Sequence, residues 1–176
     1  MIWRLFLVAV IVAAISGLAM AYFAPWLGIR FNLTESLPIG FYVNANGPIK
    51  KGSIVVVCPP PTPLFVSAQR RGYIGVGKCP GGMQEIGKQV AGVPGDVVAE
   101  SDAGVQIDGH HIAESLPFVR DPEGRALPAI RLQNYVLSSN EFWLMGEHQP
   151  LSFDSRYFGP VSRVNIMHVI RPLLTW

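Results

Sequence analysis

The sequence predicts a mainly β protein, in which antiparallel strands form the folded domain and a single transmembrane helix precedes it. Three observations lead to this fold class. An uncharged apolar run occupies the N-terminus, from Leu5 to Phe23. Glycine and proline are both abundant, at 18 and 15 of 176 residues, which is more than helical domains usually contain. Short apolar runs bounded by glycine or proline then recur along the rest of the chain, as expected for strands joined by turns.

The run from Leu5 to Phe23 is long enough to cross a bilayer, which takes roughly 17–25 residues. Arg4 and the amino terminus carry the only charges before it. Positive charge on the short leading flank predicts a cytoplasmic N-terminus. We therefore expect residues 1–26 to form a membrane anchor and residues 27–176 to form one exported domain.

A cleaved signal peptide is the alternative for this segment, because Ala19-Met20-Ala21 has the small-x-small pattern of a cleavage site. The retained anchor is favoured, since the apolar run is long for a cleaved signal. In addition, Tyr22, Phe23 and Trp26 suit the aromatic belt found at a membrane surface.

The remaining elements follow from apolar runs and turn signals. Residues 104–112 predict a hairpin, because Asp108-Gly109 is a dipeptide that favours a type I′ turn. Residues 65–71 suit one or two helical turns, and we expect a small flap around residues 99–133. The predicted strands are residues 41–43, 52–58, 85–93, 97–99, 134–137, 141–146 and 164–171.

Composition argues against several classes of partner. The formal net charge is only +2 and the basic residues are scattered, so we expect no nucleic-acid partner. We also expect no metal and no cofactor. The two cysteines lack Cys-x-x-Cys spacing, and the four histidines form no ligand pattern beyond one adjacent pair.

The two cysteines, Cys58 and Cys79, each lie beside a proline in the part of the chain that we expect to be exported. In an oxidising compartment they can form one disulfide. It would close a loop of about twenty residues and stabilise the fold by ~3 kcal/mol through loop entropy. Two free, buried thiols are the alternative.

Lys88 is the candidate general base. A serine hydroxyl attacks a carbonyl only when a base takes its proton, and a lysine can do so if an apolar setting keeps it neutral. The pKa of such a lysine must fall by roughly three units, which corresponds to about 4 kcal/mol of differential solvation. Lys88 lies within an apolar strand, whereas Lys50, Lys51 and Lys78 lie in loop-like sequence. Periodicity alone is equally compatible with Lys88 on a solvated strand face.

Ser36 is the candidate nucleophile. It is followed by Leu37 and Pro38, and the proline restricts the backbone of the residue before it and holds a tight bend. Thr34 lies two residues earlier, where its hydroxyl could join the Ser36 backbone N–H as a second oxyanion donor. Alone, a Ser-Leu-Pro tripeptide usually marks an ordinary loop.

Three segments resemble the ordered sequence boxes of the type I signal peptidases. Ser36-Leu-Pro is similar to the box of the nucleophile, residues 88–96 (KQVAGVPGD) to the box of the lysine base, and residues 146–161 (GEHQPLSFDSRYFGPV) to a third box that braces the site. All three follow an N-terminal apolar segment in the family's order. The resemblance implies the signal-peptidase (LexA-like) antiparallel β fold. It also implies a membrane-bound serine endopeptidase with Ser36 as nucleophile and Lys88 as base.

The third box also assigns supporting roles. The resemblance implies that Asp154 and Arg156 form an ion pair that supports the catalytic loop, with Ser155 hydrogen-bonded nearby. The alternative is a surface turn with an exposed ion pair, which would stabilise the protein by less than about 1 kcal/mol.

The sequence also departs from the housekeeping enzymes of this family. Glu147 and His148 replace the usual Asp-Asn pair, while Leu37 and Gln89 stand where methionine and arginine are common. The stretch between the second and third boxes is short, which leaves no room for a large accessory domain. These features resemble the compact conjugal-transfer TraF branch, whose members mature pilins, and so do the cysteine motifs around residues 57–60 and 72–82.

The resemblance to this branch implies a propilin-like precursor substrate in the bacterial inner membrane, and a catalytic domain in the periplasm. It also implies a product whose new end can be joined to its own N-terminus, because an acyl-enzyme can be resolved by an amine as well as by water.

Two rival hypotheses remain open. One is a Ser-His-Asp triad that uses His110, His111, His148 or His168 as the base. It is disfavoured because Lys88 already occupies the base position. The other is a catalytically inactive, membrane-anchored β domain that serves as a pilus assembly factor.

The sequence also limits where the reaction takes place. Ser36 follows Trp26 by ten residues, and extended chain covers about 3.3–3.6 Å per residue, so Ser36 lies within roughly 35 Å of the bilayer. A membrane-facing or substrate-facing apolar patch is expected if the neighbouring apolar side chains are exposed together. These side chains are Leu37, Ile39, Phe41, Phe142 and Trp143.

Overall fold

The N-terminal apolar run forms one continuous helix in the computed structural model, which describes residues 2–24, 26–128, 130–146 and 151–176. Helix α1 spans Ile2–Phe23, and its 22 residues give a length of about 33 Å. That length matches the roughly 30 Å hydrocarbon core of a bilayer. The window Ile2–Ala19 has a mean hydropathy of 2.3 and packs against nothing else in the described chain. The side chains of Met20 and Ala21, within the alternative cleavage pattern, lie outside the described residues.

Most strands belong to a seven-stranded antiparallel sheet with the order β1-β2-β12-β3-β5-β10-β11. Its long C-terminal strand lies in the interior of the sheet, between β2 and β3, and so joins the first strands to the rest. The strands are β1 (Ile29–Asn32), β2 (Gly40–Ala45), β3 (Ile54–Val57), β5 (Ile86–Gly92), β10 (Glu141–Met145), β11 (Val161–Ser162) and β12 (Ile166–Thr175).

A second sheet has four strands in the order β8-β7-β6-β9 and is also antiparallel. Its hairpin turns at Asp108-Gly109, with φ values of 52° and 77°. Positive φ at both central residues is what a type I′ turn requires. The strands are β6 (Val97–Ser101), β7 (Gly104–Ile107), β8 (His110–His111) and β9 (Leu132–Val136).

Strand β10 connects the hydrophobic cores of the two sheets because successive side chains of a strand point to opposite faces. Phe142 and Leu144 pack into one core with Val55 and Val57 of β3. Trp143 and Met145 point the other way and pack against Val98 and the rest of the four-stranded sheet. Both faces of β10 are therefore buried.

A short helix and a disulfide cover one end of the large sheet. Helix α2 (Pro63–Arg70) begins at the N-cap Thr62, whose hydroxyl accepts a hydrogen bond from Phe65 N. Cys58 and Cys79 form a disulfide with their Cα atoms 5.4 Å apart, so the alternative of two free thiols is wrong. The bridge closes the segment that contains α2, and Cys79 packs with Phe65 in the core beneath the helix.

The predicted fold class is confirmed: the folded part of the chain is mainly antiparallel β, preceded by one apolar helix. Three short elements were missed, because runs of two to four residues carry too little periodicity. These are β1, β11 and the strand β4 (Val76–Cys79), which lies in a glycine-rich stretch predicted as loop. The helix α3 (Ser155–Phe158) was likewise predicted as polar loop. The division at residue 26 and the flap boundaries at 99–133 stay predictions.

The expected apolar patch around Ser36 does not form as proposed. Leu37, Phe142 and Trp143 are buried in the cores of the sheets. Phe41 remains exposed and lies beside Phe31, with the two ring centroids 4.7 Å apart.

Candidate active site

The Asn32 side chain, at the end of β1, makes several hydrogen bonds within the loop that carries Ser36. The Asn32 amide nitrogen lies within hydrogen-bond distance of the carbonyl oxygens of Thr34, Leu37 and Pro38, at 2.7, 3.0 and 3.2 Å. Its amide oxygen accepts from the Thr34 backbone N–H and hydroxyl. Because these bonds reach both sides of Ser36, they fix the curvature of the loop.

A second anchor of this loop is Leu37, which packs on the strand that carries Lys88. The Leu37 side chain lies over Gly87, where an added Cβ would come within 2.7 Å of Leu37 Cδ1. Glycine at this position therefore lets the loop approach β5 closely. The neighbouring Ser36 is half-buried and faces Lys88.

Lys88 lies on β5 and its side chain is buried, with 4% of its surface exposed. Its ammonium nitrogen Nζ is 2.8 Å from Ser36 Oγ and 2.7 Å from Ser152 Oγ. The two serine oxygens are 3.3 Å apart, so the three polar groups form a compact triangle. The structure thus brings together Ser36 and Lys88, which the sequence places 52 residues apart.

Burial sets the protonation equilibrium of Lys88. Loss of hydration lowers the pKa of the ammonium from 10.5 to about 8. The nearby Asp154 carboxylate opposes this shift, and the Arg156 guanidinium adds to it. The lysine is therefore far easier to deprotonate than a solvated one.

Behind the triangle, Asp154 and Arg156 form a buried ion pair with 0% and 1% of their surfaces exposed. Arg156 Nε donates to Asp154 Oδ1 at 2.8 Å and Nη2 to Oδ2 at 2.7 Å. The Asp154 carboxylate also accepts from the backbone of Gly146. Arg156 Nη2 reaches the carbonyl oxygen of Ser152 at 3.3 Å. The pair thus joins β10 to the segment that presents Ser152, and it is not an exposed surface pair.

Two neighbouring residues complete this support. The Ser155 hydroxyl accepts a hydrogen bond from Leu144 N at 2.9 Å, which ties the start of α3 to β10. Gly146 lies so close to Ser152 that an added Cβ would be 2.3 Å from Ser152 Oγ. No larger side chain fits at residue 146 without displacing Ser152.

Thr34 is placed differently from the other candidates. It is exposed, and its hydroxyl donates to Asn32 Oδ1 at 2.8 Å. Its role as an oxyanion donor stays a prediction.

The sequence interpretation missed Ser152 and Asn32. Ser152 carries a weak signal, a hydroxyl two residues before Asp154 inside the third box. Asn32 carries none beyond its place at the start of a polar loop, because its role depends on how that loop curves.

The histidines of the rival triad lie elsewhere, as far as the structure describes them. His110 and His111 are exposed on β8, where their rings contact the carbonyl oxygens of Asp108 and Ala103. Neither they nor His168 on β12 hydrogen-bonds with Ser36. His148 and Glu147 lie outside the described residues.

A buried carboxyl group also lies within electrostatic range of the ion pair. Glu100 on β6 is 2% exposed, and neither of its carboxyl oxygens has a hydrogen-bond partner among the described residues. The pKa of Glu100 is raised to about 8, chiefly by burial; Arg131 and Arg156 oppose this rise, and Asp154 adds to it. This side chain is therefore mostly uncharged at neutral pH.

Comparison with known proteins gives consistent matches over nearly the whole chain. The family model for signal peptidase, peptidase S26, matches residues 2–174. One Escherichia coli plasmid transfer protein TraF is 43% identical over 161 residues, covering 92% of this chain and 91% of the relative. A second E. coli plasmid transfer protein TraF is 40% identical over 167 residues, covering 95% and 94%.

A solved structure gives a looser match. The crystal structure of a signal peptidase I from Enterococcus faecalis V583 covers 70% of this chain and 97% of its own, with 20% identity and a TM-score of 0.39. That superposition is too loose to support an argument about the site.

Proposed function

Because the chain belongs to the signal peptidase family S26, we propose that it is a membrane-anchored serine endopeptidase with Ser36 as nucleophile and Lys88 as general base. The observation that carries this proposal is the 2.8 Å separation of Lys88 Nζ and Ser36 Oγ at a buried lysine. With a pKa of about 8, about a tenth of the lysine is neutral at pH 7.

The chemistry follows from this pair. Neutral Lys88 accepts the hydroxyl proton as Ser36 Oγ attacks the carbonyl carbon of the substrate. When the tetrahedral intermediate collapses, the C–N bond breaks and Lys88 returns the proton to the leaving amine. Water or an amine then attacks the acyl-enzyme while Lys88 accepts its proton. As the ester bond breaks, Lys88 passes that proton to Ser36 Oγ, which restores the hydroxyl. An amine from the substrate's own N-terminus would give a cyclic product.

Supporting roles fall to the groups around the pair. Ser152 accepts a hydrogen bond from Lys88 Nζ and so orients the lysine toward Ser36. Asp154, Ser155 and Arg156 hold the segment that carries Ser152. The proposed oxyanion donors are the backbone N–H of Ser36 and the hydroxyl of Thr34, which must turn away from its bond within the loop.

The substrate class follows from the relatives. The two E. coli relatives are plasmid transfer proteins, so we place the substrate among conjugative precursors, as a propilin-like chain in the bacterial inner membrane. Helix α1 supports membrane attachment, with the N-terminus in the cytoplasm. The Cys58–Cys79 disulfide supports an oxidising location for the catalytic domain, namely the periplasm.

The dyad is tested by labelling the full-length protein in detergent with a fluorescent serine-acylating probe. We expect Ser36→Ala and Lys88→Ala to abolish labelling. Lys88→Arg should abolish it too, since a guanidinium does not release its proton at working pH. Ser139→Ala and Lys50→Ala alter exposed side chains and serve as matched controls.

The outcomes of this experiment distinguish the Ser36–Lys88 dyad from the alternative of an inactive assembly factor. Near-normal labelling of Lys88→Ala would refute the dyad. A native protein that no probe labels would favour the inactive assembly factor instead. The fate of the acyl-enzyme is read from the intact mass of a co-expressed propilin, because a cyclic product lacks one water relative to the linear cleaved chain.

A further inference from the structure

A cavity of about 230 Å³ is lined in part by the two residues that flank Ser152 in the sequence. One wall comes from the turn after α2, around Arg71 and Tyr73, and the other from the irregular segment between Asp121 and Leu127. Leu151, Phe153 and Tyr157 complete the lining. The roles proposed above for Ser36 and Lys88 do not involve this cavity.

Two of the residues that line the cavity connect it to the candidate active site. Leu151 and Phe153 both line it, and between them lies Ser152, whose hydroxyl is 3.3 Å from Ser36 Oγ. Consecutive Cα atoms are about 3.8 Å apart, and an extended peptide covers about 3.3–3.6 Å per residue. The backbone of Leu151 and Phe153 therefore lies within about 10 Å of Ser36 Oγ, a distance that about three residues of extended polypeptide cover.

The floor of the cavity suits an apolar side chain. The ring of Phe153 stacks on that of Tyr157, with centroids 5.7 Å apart and planes at 7°. The Tyr73 ring also packs against Phe153, with centroids 5.3 Å apart. Because Tyr157 is buried, the half-buried rings of Tyr73 and Phe153 provide most of the aromatic surface that an apolar group could contact.

Most charged side chains around the cavity are hydrogen-bonded or paired with one another. The Asp121 carboxylate accepts from the side chain and backbone of Arg125 and from the Tyr73 hydroxyl. This holds the Arg125 guanidinium over the Tyr73 ring, 5.4 Å from its centroid. Arg125 also pairs with Glu123 at 2.9 Å. These groups form a connected wall in which two carboxylates share one guanidinium, so the wall has a net negative charge.

Arg71 is the exception. It is half-buried, and its Nη1 donates to the carbonyl oxygen of Ala126 at 2.7 Å. Among the described residues, its guanidinium makes no ion pair with a carboxylate. A guanidinium has five N–H donors in a planar fork, so most of its donors remain available. Such a fork matches the two oxygens of a carboxylate.

We propose that this cavity is a substrate subsite, which binds an apolar side chain on the aromatic floor and a neighbouring carboxylate at Arg71. The carboxylate belongs to the precursor polypeptide, within about three residues of the cleaved bond, as an acidic side chain or a chain terminus. This inference rests on the proposed peptidase function and gives that function a specificity determinant.

Peptide binding to the full-length Ser36→Ala variant in detergent micelles tests the subsite without catalysis. The first pair of probes is N-acetyl-Ala-Phe with a free carboxylate and its C-terminal amide. The second pair is N-acetyl-Glu-Phe-amide and N-acetyl-Gln-Phe-amide. Titration calorimetry or ligand-observed NMR gives each Kd. We expect at least one carboxylate probe to bind about tenfold more tightly than its neutral partner, as a charge-assisted hydrogen bond predicts.

Variants of Arg71 test whether its guanidinium is the group that binds the carboxylate. Arg71→Gln should remove the preference for the carboxylate. Arg71→Lys, which keeps the charge but loses the fork, should retain part of it. Arg70→Gln changes an exposed neighbour on α2 and should leave the preference intact. A preference seen only in the first probe pair assigns the carboxylate to a chain terminus, and one seen only in the second pair assigns it to a side chain.

Three results would overturn the subsite. They are equal binding of the acid and neutral probes, no measurable binding of any probe, and an undiminished preference in folded Arg71→Gln. None of them depends on whether Ser36 is acylated. Probe labelling of the native protein tests the proposed function separately, so the two failures are distinguishable.

Discussion

Replacing Glu100 by glutamine measures the effect of a buried, unpartnered carboxyl group on the stability of the fold. The folded-state pKa of Glu100 is about 8, against 4.5 for a solvated glutamate. The folded protein therefore holds this proton more tightly than the unfolded chain. Its contribution to the free energy of unfolding is complete below pH 4.5 and is lost as the pH rises toward 8. Glu100 thus makes the protein less stable as the solution becomes more alkaline.

The magnitude follows from the two pKa values. At pH 7 the unfolded glutamate is ionised and the folded one is still mostly protonated, so about 2.5 pH units separate the two states. At 1.36 kcal/mol per unit, the loss between pH 4.5 and pH 7 is about 3 kcal/mol. Glutamine has nearly the same shape and no charge at any pH, so Glu100→Gln lacks this dependence.

The assay is chemical unfolding of the native protein and Glu100→Gln in mild detergent at pH 4.5, 6 and 7. The quantity of interest is the difference between the two free energies of unfolding. Any constant penalty from the buried amide cancels when this difference is compared across pH. We expect the variant to gain about 3 kcal/mol relative to the native protein between pH 4.5 and 7. Glu114→Gln, at an exposed position, should gain nothing. A pH-independent difference for Glu100→Gln would refute the reasoning.

Three further predictions concern the candidate active site. Labelling by a serine-acylating probe should rise about tenfold per pH unit up to the Lys88 pKa of about 8 and then level off, because only the neutral lysine accepts a proton; a flat profile from pH 6 to 9 would contradict this. Gly146→Ala should slow labelling by about tenfold or more, since the new Cβ would displace Ser152, whereas Gly17→Ala, with nothing within 4 Å, serves as the control. Asn32→Asp keeps the acceptor oxygen but loses the amide donor to three carbonyl oxygens, so labelling should slow about tenfold or more and the free energy of unfolding should fall by about 1–3 kcal/mol. Unchanged labelling of the folded variant would argue against a positioning role.

The sequence was informative about strands and about local chemistry, but less so about which strand face is buried. Lys88, Val90 and Gly92 share the buried face of β5, while Gln89 and Ala91 occupy the other. Both faces carry an apolar residue, so periodicity could not decide where Lys88 points. Tertiary packing decides it, because the Ser36 loop and Ser152 meet the face of β5 that carries Lys88.

Other features could not be predicted because they depend on distant contacts. Ser152 reaches Lys88 only because the buried Asp154–Arg156 pair holds its segment against β10. Arg71 faces a cavity whose other wall lies some 50 residues away in the sequence. The burial of Glu100 could have been predicted from the sequence, because it follows the apolar Val98 by two residues and so lies on the same face of β6.

The place of β12 in the large sheet has a consequence for the order in which the protein matures. The strand that leaves the Ser36 loop, β2, does not pair with β3 directly, because residues 166–175 lie between them. The contact is close, since a Cβ added at Gly40 would be 2.2 Å from the carbonyl oxygen of Leu174. The spacing of Ser36 and Lys88 therefore depends on a strand that follows both residues in the chain. A partly synthesised chain that stops before residue 166 carries both residues but lacks this strand, so labelling of Ser36 by an acylating probe should require residues 166–175.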